Sequence, residues 1–192
     1  MPTTDTAPLS TTIRNGAIIG MAAAVGMAMY AMVASATYQH HGFFTPLFHI
    51  SALTGSPKSM MQSLHAAMSG ETFWFTPGAA LCGLLIHMIT GAMYGIGFAL
   101  LVRRVRAAGA VVAAGMAYGA GAMVFSGIIG LPVAAAIMSA GNTISDMPQM
   151  VGWATFAIEH LLFGMILGIG VAAVRAAAAP ASAGENVSAA LA

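Results

Sequence analysis

Charge is scarce in this chain: six Lys or Arg and five Asp or Glu stand among 192 residues, 6% in all. About a quarter of the residues of a soluble domain are charged, so this chain could not cover its own surface in water. Apolar residues make up 59% and the mean hydropathy is +0.87. The composition predicts an integral membrane protein with the lipid bilayer as its first partner. Basic tracts are missing and the net charge is +1, which excludes nucleic acid as a partner class. Cysteine is nearly missing too. The one thiol, Cys82, sits in an apolar run, so no disulfide can form within the chain, and the compartment is not readable from it. No G-x-x-x-x-G-K-[ST], H-E-x-x-H or G-x-S-x-G occurs, and a conventional enzyme is not expected. Gly95-Ile-Gly97 is no dinucleotide loop, because it lies inside an apolar run with no strand before it.

Long apolar runs are what the chain has instead. Four of them, at about 16–36, 78–102, 107–129 and 150–174, are long enough to cross a hydrocarbon core of about 30 Å as helices. The predicted fold class is all-α: a four-helix transmembrane domain over 14–175. A Thr-rich tail (1–13) and a low-complexity tail (176–192) flank it, both expected to be disordered. Ala34-Ser35-Ala36 has the small residues of a signal-peptidase site. The run before it is longer than a signal core and Asp5 stands in the leader, so a retained helix is expected.

The segment 37–77 is too apolar for a solvent loop and is expected to form an extracytoplasmic cap. Thr45-Pro46, Ser56-Pro57 and Thr76-Pro77 each pair an N-cap hydroxyl with a first-turn proline. Gly55 and Gly70 supply helix stops. Short helices follow at 46–54 and 57–69, the second with Met60, Met61, Leu64, Ala67 and Met68 on one face, an interfacial pattern. In the second half Pro132–Gly141 makes a similar short element, and 142–148 a polar turn.

One pattern is written twice. H-x3-G-x3-G-I-G starts at His87, with Gly91, Gly95 and Gly97, and again at His160, with Gly164, Gly168 and Gly170. Arg103 follows His87 by 16 positions, and Arg175 follows Glu159 by 16 and His160 by 15. Two hairpin repeats of equal orientation are expected, related by an axis along the membrane normal. Gly16-Ala-Ile-Ile and Gly109-Ala-Val-Val give a loose match between the first helices of the halves. Arg14, Arg103, Arg104, Arg106 and Arg175 fall on one side of four crossings and Lys58 on the other. The positive-inside rule then puts both termini in the cytoplasm of a cell with an inner (plasma) membrane.

His87, Glu159 and His160 come out at one depth, about 24 Å from the inner arginines. Gly91, Gly95, Gly164 and Gly168 are expected to let the second and fourth helices approach each other as small-xxx-small seams do. Three readings follow. The leading one is structural: an accessory subunit in which histidines bond across the bundle. The second is a haem b electron carrier, with His87 and His160 as axial ligands and Gly at i+4 clearing room for the ring. The third is a proton or ion path through Glu159, His87 and His160, in a channel or transporter component. His40, His41, His49 and His65, with Met60, Met61 and Met68, gather on the outer side as a weaker copper candidate, and no metal site is expected. So small a bundle with Gly-lined faces is expected to act as a homo-oligomer or within a larger membrane complex.

Overall fold

The structure, a computed structural model, describes residues 8–178. Those residues form helices and connecting loops: α1 (Leu9–Ala36), α2 (Thr45–Ser51), α3 (Lys58–Met68), α4 (Pro77–Leu101), α5 (Ala108–Phe125), a π turn (Ser126–Gly130), α6 (Leu131–Met138), α7 (Asn142–Ser145), α8 (Met147–Val151) and α9 (Trp153–Ala178). Among the described residues four helical spans are long and apolar enough to cross a membrane: Leu9–Ala36, Pro77–Leu101, Ala108–Met138 and Trp153–Ala178.

Several boundaries differ from the sequence expectation. Helix α1 starts at Leu9, so residues 9–13 are its first turns rather than a tail, and α9 likewise runs on to Ala178. The remainder of both expected tails lies outside the described residues. The third span does not stop at 129. Pro132 lacks an N–H and its ring collides with the carbonyl four residues back; that carbonyl, on Ile128, falls inside the π turn. Widening the helix there absorbs the proline, and the helix continues to Met138. The fourth span starts at Trp153, not 150, because Gly152 takes φ 88° and separates α8 from α9. The stretch 142–148, expected as a turn, is wound into α7 and the start of α8.

None of the three expected hydroxyls stands at the N-cap of its helix with a capping bond: α3 starts at Lys58 with Pro57 at its N-cap, and Ser56, one position further out, accepts from the Lys58 amide at 3.3 Å. Thr45 lies inside α2 and turns to Ser63 Oγ at 2.8 Å, and Thr76 makes no side-chain cap. Gly70 stops α3 with φ 91°, as its position predicts, whereas α2 ends at Ser51, before Gly55. Helix α3 buries Met60, Ser63 and Ala66 and leaves Met61 and Met68 exposed. Its packed face is thus one step round from the expected methionine stripe, since Ser63 has a buried partner in Thr45.

The four spans run up, down, up, down. Helices α1 and α4 meet along Gly16, Gly20, Gly91 and Gly95 so closely that a Cβ on Gly20 or Gly95 would overlap the other helix's backbone. Helices α5 and α9 do the same along Gly115, Gly119, Gly164 and Gly168. The expected approach of the second helix to the fourth is therefore not what these glycines serve. Each seam closes a hairpin within its own half. The hairpins join along α1 and α9, where Gly26 meets Ile166 and Gly170 meets Ile19. On the opposite side α4 and α5 touch through side chains, with Phe98 and Tyr118 rings 5.3 Å apart. The shared core is Ile19, Ala23, Ala24, Phe98, Val102, Val111, Phe163, Leu167 and Val171. A second cluster of Met32, Leu47, Phe48, Met60 and Ala80 fastens the cap to α1 and α4.

Candidate functional site

Between the core and the cap the hairpins part. The gap is a partly open cavity of about 610 Å³, and its lining includes His87 from α4 and both Glu159 and His160 from α9. The structure brings the three predicted residues to one cavity. They sit in the half nearer the cap: His87 is ten residues into α4, about 15 Å along it, and Glu159 six residues into α9, about 9 Å.

The three side chains are differently satisfied. His87 Nε2 donates across the hairpin to the Ala24 carbonyl of α1 at 3.0 Å. His160 Nδ1 donates to Phe156 O of its own helix at 2.8 Å, one turn back, and its ring lies 4.3 Å from that of Phe156. Glu159 is 6% exposed, and its Oε1 is buried with no hydrogen-bond partner among the described residues. A buried polar atom without a partner costs about 1–3 kcal/mol, more when charged.

The floor of the cavity is aromatic. Tyr118 donates to the Tyr94 carbonyl at 2.9 Å, Tyr94 and Ser126 hydroxyls meet at 3.0 Å, and Tyr94 and Phe163 rings stand 6.4 Å apart. Ser126 belongs to the π turn, so the widening caused by Pro132 also shapes this wall. The roof is the cap: His49, 4% exposed, bonds through Nε2 to Thr143 O at 2.5 Å and ties α2 to α7. Burial pushes the His49 pKa below the usual histidine value, against the pull of that carbonyl. Beside it, Gln39 Nε2 donates to Val151 O at 2.7 Å.

Tyr118, Phe156 and Phe163 are lining residues that the sequence reading did not single out. The signal was available: Gly115-x3-Gly119 places Tyr118 beside a close helix contact. The copper candidate does not assemble. His49 is turned inward to Thr143, Met60 is 2% exposed and Met68 84%. Among the described residues no three His, Cys, Asp or Glu are grouped to hold a metal.

The fit to haem b is poor. The space expected at i+4 is taken by helix backbone: a Cβ on Gly91 would lie 2.8 Å from Gly20 O, and one on Gly164 would lie 2.9 Å from the Gly115 carbonyl carbon. His87 Nε2, the nitrogen an axial ligand would use, is engaged by Ala24.

Comparison with protein-family models, with curated proteins and with solved structures finds no match to this chain.

Proposed function

We propose that this chain is a multi-pass membrane protein of the transporter or channel-component class, in which Glu159, flanked by His87 and His160, exchanges a proton or a cation within the bundle. The observation that carries the reading is the lone buried Oε1 of Glu159 in a cavity shared with both histidines. Helix glue accounts for His87, whose bond to Ala24 O crosses the hairpin. It does not account for His160, which bonds within its own helix, or for Glu159, whose buried Oε1 meets no hydrogen-bond partner among the described residues. Ionisable groups inside a membrane are rare and mark ion pathways and proton relays.

The repeat reading gains support from the glycine seams. Gly20 meets Gly91 and Gly95 as Gly115 meets Gly164 and Gly168. This register pairs Gly20 with Gly115 and Ala24 with Gly119, and it replaces the looser match of Gly16 with Gly109. Two hairpins of like orientation about an axis along the membrane normal agree with it. The Val102–Ala107 loop and Arg175 lie at one end, where Arg175 bonds to Val102 O and Val105 O, and the Arg14 end of α1 packs beside Ala99. With Lys58 at the other end, the positive-inside rule favours cytoplasmic termini in a plasma membrane.

The experiment is proton flux in vesicles carrying the full chain, read with an entrapped pH dye under an imposed gradient. Flux above that of empty vesicles, lost in Glu159→Gln with helicity unchanged, is the expected result. If wild-type vesicles conduct no faster than empty ones, and His87→Ala and His160→Ala only lower thermal stability, the accessory structural reading takes its place.

A further inference from the structure

We propose that the cavity binds an organic cation: an apolar, aromatic or branched body carrying one N–H⁺ group, with that group on the Glu159 carboxylate. The inference rests on the reading of Glu159 as an exchange site and names what is exchanged for the proton.

Three observations converge on this ligand class. The volume, about 610 Å³, and a lining that is mostly apolar suit a small organic molecule rather than a hydrated ion. The free polar atoms are acceptors: Glu159 Oε1 lacks a donor, and a neutral imidazole that donates through Nδ1, as His160 does to Phe156 O, accepts through Nε2. A guest must therefore bring donors. No Lys, Arg or second acidic residue is among the lining residues, so the carboxylate has no fixed counter-ion and a cation from outside would balance it. The walls that remain include Tyr94, Tyr118, Phe156 and Phe163, aromatic rings of the kind that attract a desolvated cation.

Because a proton and the guest cation compete for one carboxylate, binding depends on pH. The titratable groups around Glu159 are His160 on α9, His87 and Tyr94 on α4, Tyr30 on α1, Tyr118 on α5 and His49 on α2. None is a fixed positive charge at pH 8. As pH falls a proton takes the place of the cation on the Glu159 carboxylate, and the guest is expelled.

The test uses the full chain in mild detergent and two flat aromatic probes: 9-aminoacridine, a cation with N–H donors, and acridine, its analogue that is uncharged at pH 8. Binding is followed by fluorescence anisotropy, with protein-free micelles as the blank. The expected result is saturable binding of 9-aminoacridine to the wild type, at least about tenfold weaker in Glu159→Gln, a loss equivalent to about 1.4 kcal/mol. Acridine should bind no better to wild type than to Glu159→Gln. Thermal melting checks that Glu159→Gln is folded. If it is not, the wild-type pH series decides: 9-aminoacridine affinity falling from pH 8 to pH 6 supports the proposal, and constant affinity overturns it. Equal affinity for the two probes also overturns it, as does a neutral lipid held in the cavity by native mass spectrometry that 9-aminoacridine does not displace. Proton flux without cation binding would remove this inference alone. Loss of both flux and binding would remove the exchange reading as well.

Discussion

Gly164→Ala and Gly121→Ala are the same chemical change in neighbouring helices of one hairpin, and the packing gives them opposite signs. In a helix interior the change alone is worth about 1 kcal/mol in favour of alanine. At Gly121 a Cβ meets nothing within 4 Å, so the variant keeps most of that gain. At Gly164 the new carbon overlaps the Gly115 carbonyl oxygen and comes within 2.9 Å of its carbon and 3.0 Å of Gly119 Cα. These are backbone atoms and cannot rotate away, so α5 and α9 must separate along the whole seam. Overpacking of this kind costs about 1–3 kcal/mol, and an obstacle of rigid backbone puts it at the upper end. After the propensity gain the net loss is about 2 kcal/mol. For a chain of this length that lowers the melting temperature by about 4–8 °C, read by intrinsic tryptophan fluorescence or thiol-dye unfolding in detergent. Gly95→Ala in the other hairpin should behave like Gly164→Ala, since its Cβ would meet Gly16 O and lie 2.6 Å from Gly20 Cα. A Gly164→Ala protein as stable as Gly121→Ala would refute the close-contact account of the seam.

Acid should loosen the cap. Burial lowers the folded pKa of His49, and of His41 with help from His40. Their contribution is complete above the unfolded value of about 6.5 and is lost as pH falls below it. The melting temperature should drop between pH 7 and pH 5, and His49→Gln should flatten part of that slope; an unchanged slope would acquit His49. Arg175→Gln removes the donors to Val102 O at 3.1 Å and Val105 O at 2.8 Å. Charged hydrogen bonds are worth about 1.5–3 kcal/mol each when buried and less at a half-exposed site. Trypsin should then cut at Arg103–Arg106 several-fold faster than in the wild type, and equal rates would count against the clasp.

Hydropathy made the four spans legible, and the doubled histidine motif pointed to residues that do share a cavity. Partner choice was not legible. Gly91, Gly95, Gly164 and Gly168 announce that some backbone comes close, but a small residue carries no address. The address lay in Gly16-x3-Gly20 and Gly115-x3-Gly119 on the first helices of each half, whose spacing matches the seams. Pro132 was similarly ambiguous. A proline in an apolar run reads as a stop unless the helix can widen, and the glycines at 127 and 130 lie within the turn that does so. Gly152 divides α8 from α9 by a positive φ that no hydropathy pattern announces. The isolation of Glu159 Oε1 was beyond the sequence altogether, because it depends on which side chains fail to reach it.

The bundle is bound like a book. Its spine is the long apposition of α1 and α9, where Gly26 and Gly170 receive Ile166 and Ile19. Its fore-edge is the thin line where Tyr118 reaches Tyr94 O and Tyr94 reaches Ser126. Each cover is a glycine-locked hairpin that resists bending. Parting the fore-edge breaks those hydroxyl bonds and the aromatic contacts beside them and leaves both seams whole, so on the exchange reading proposed above a molecule dissolved in the bilayer would reach Glu159 sideways, between α4 and α5.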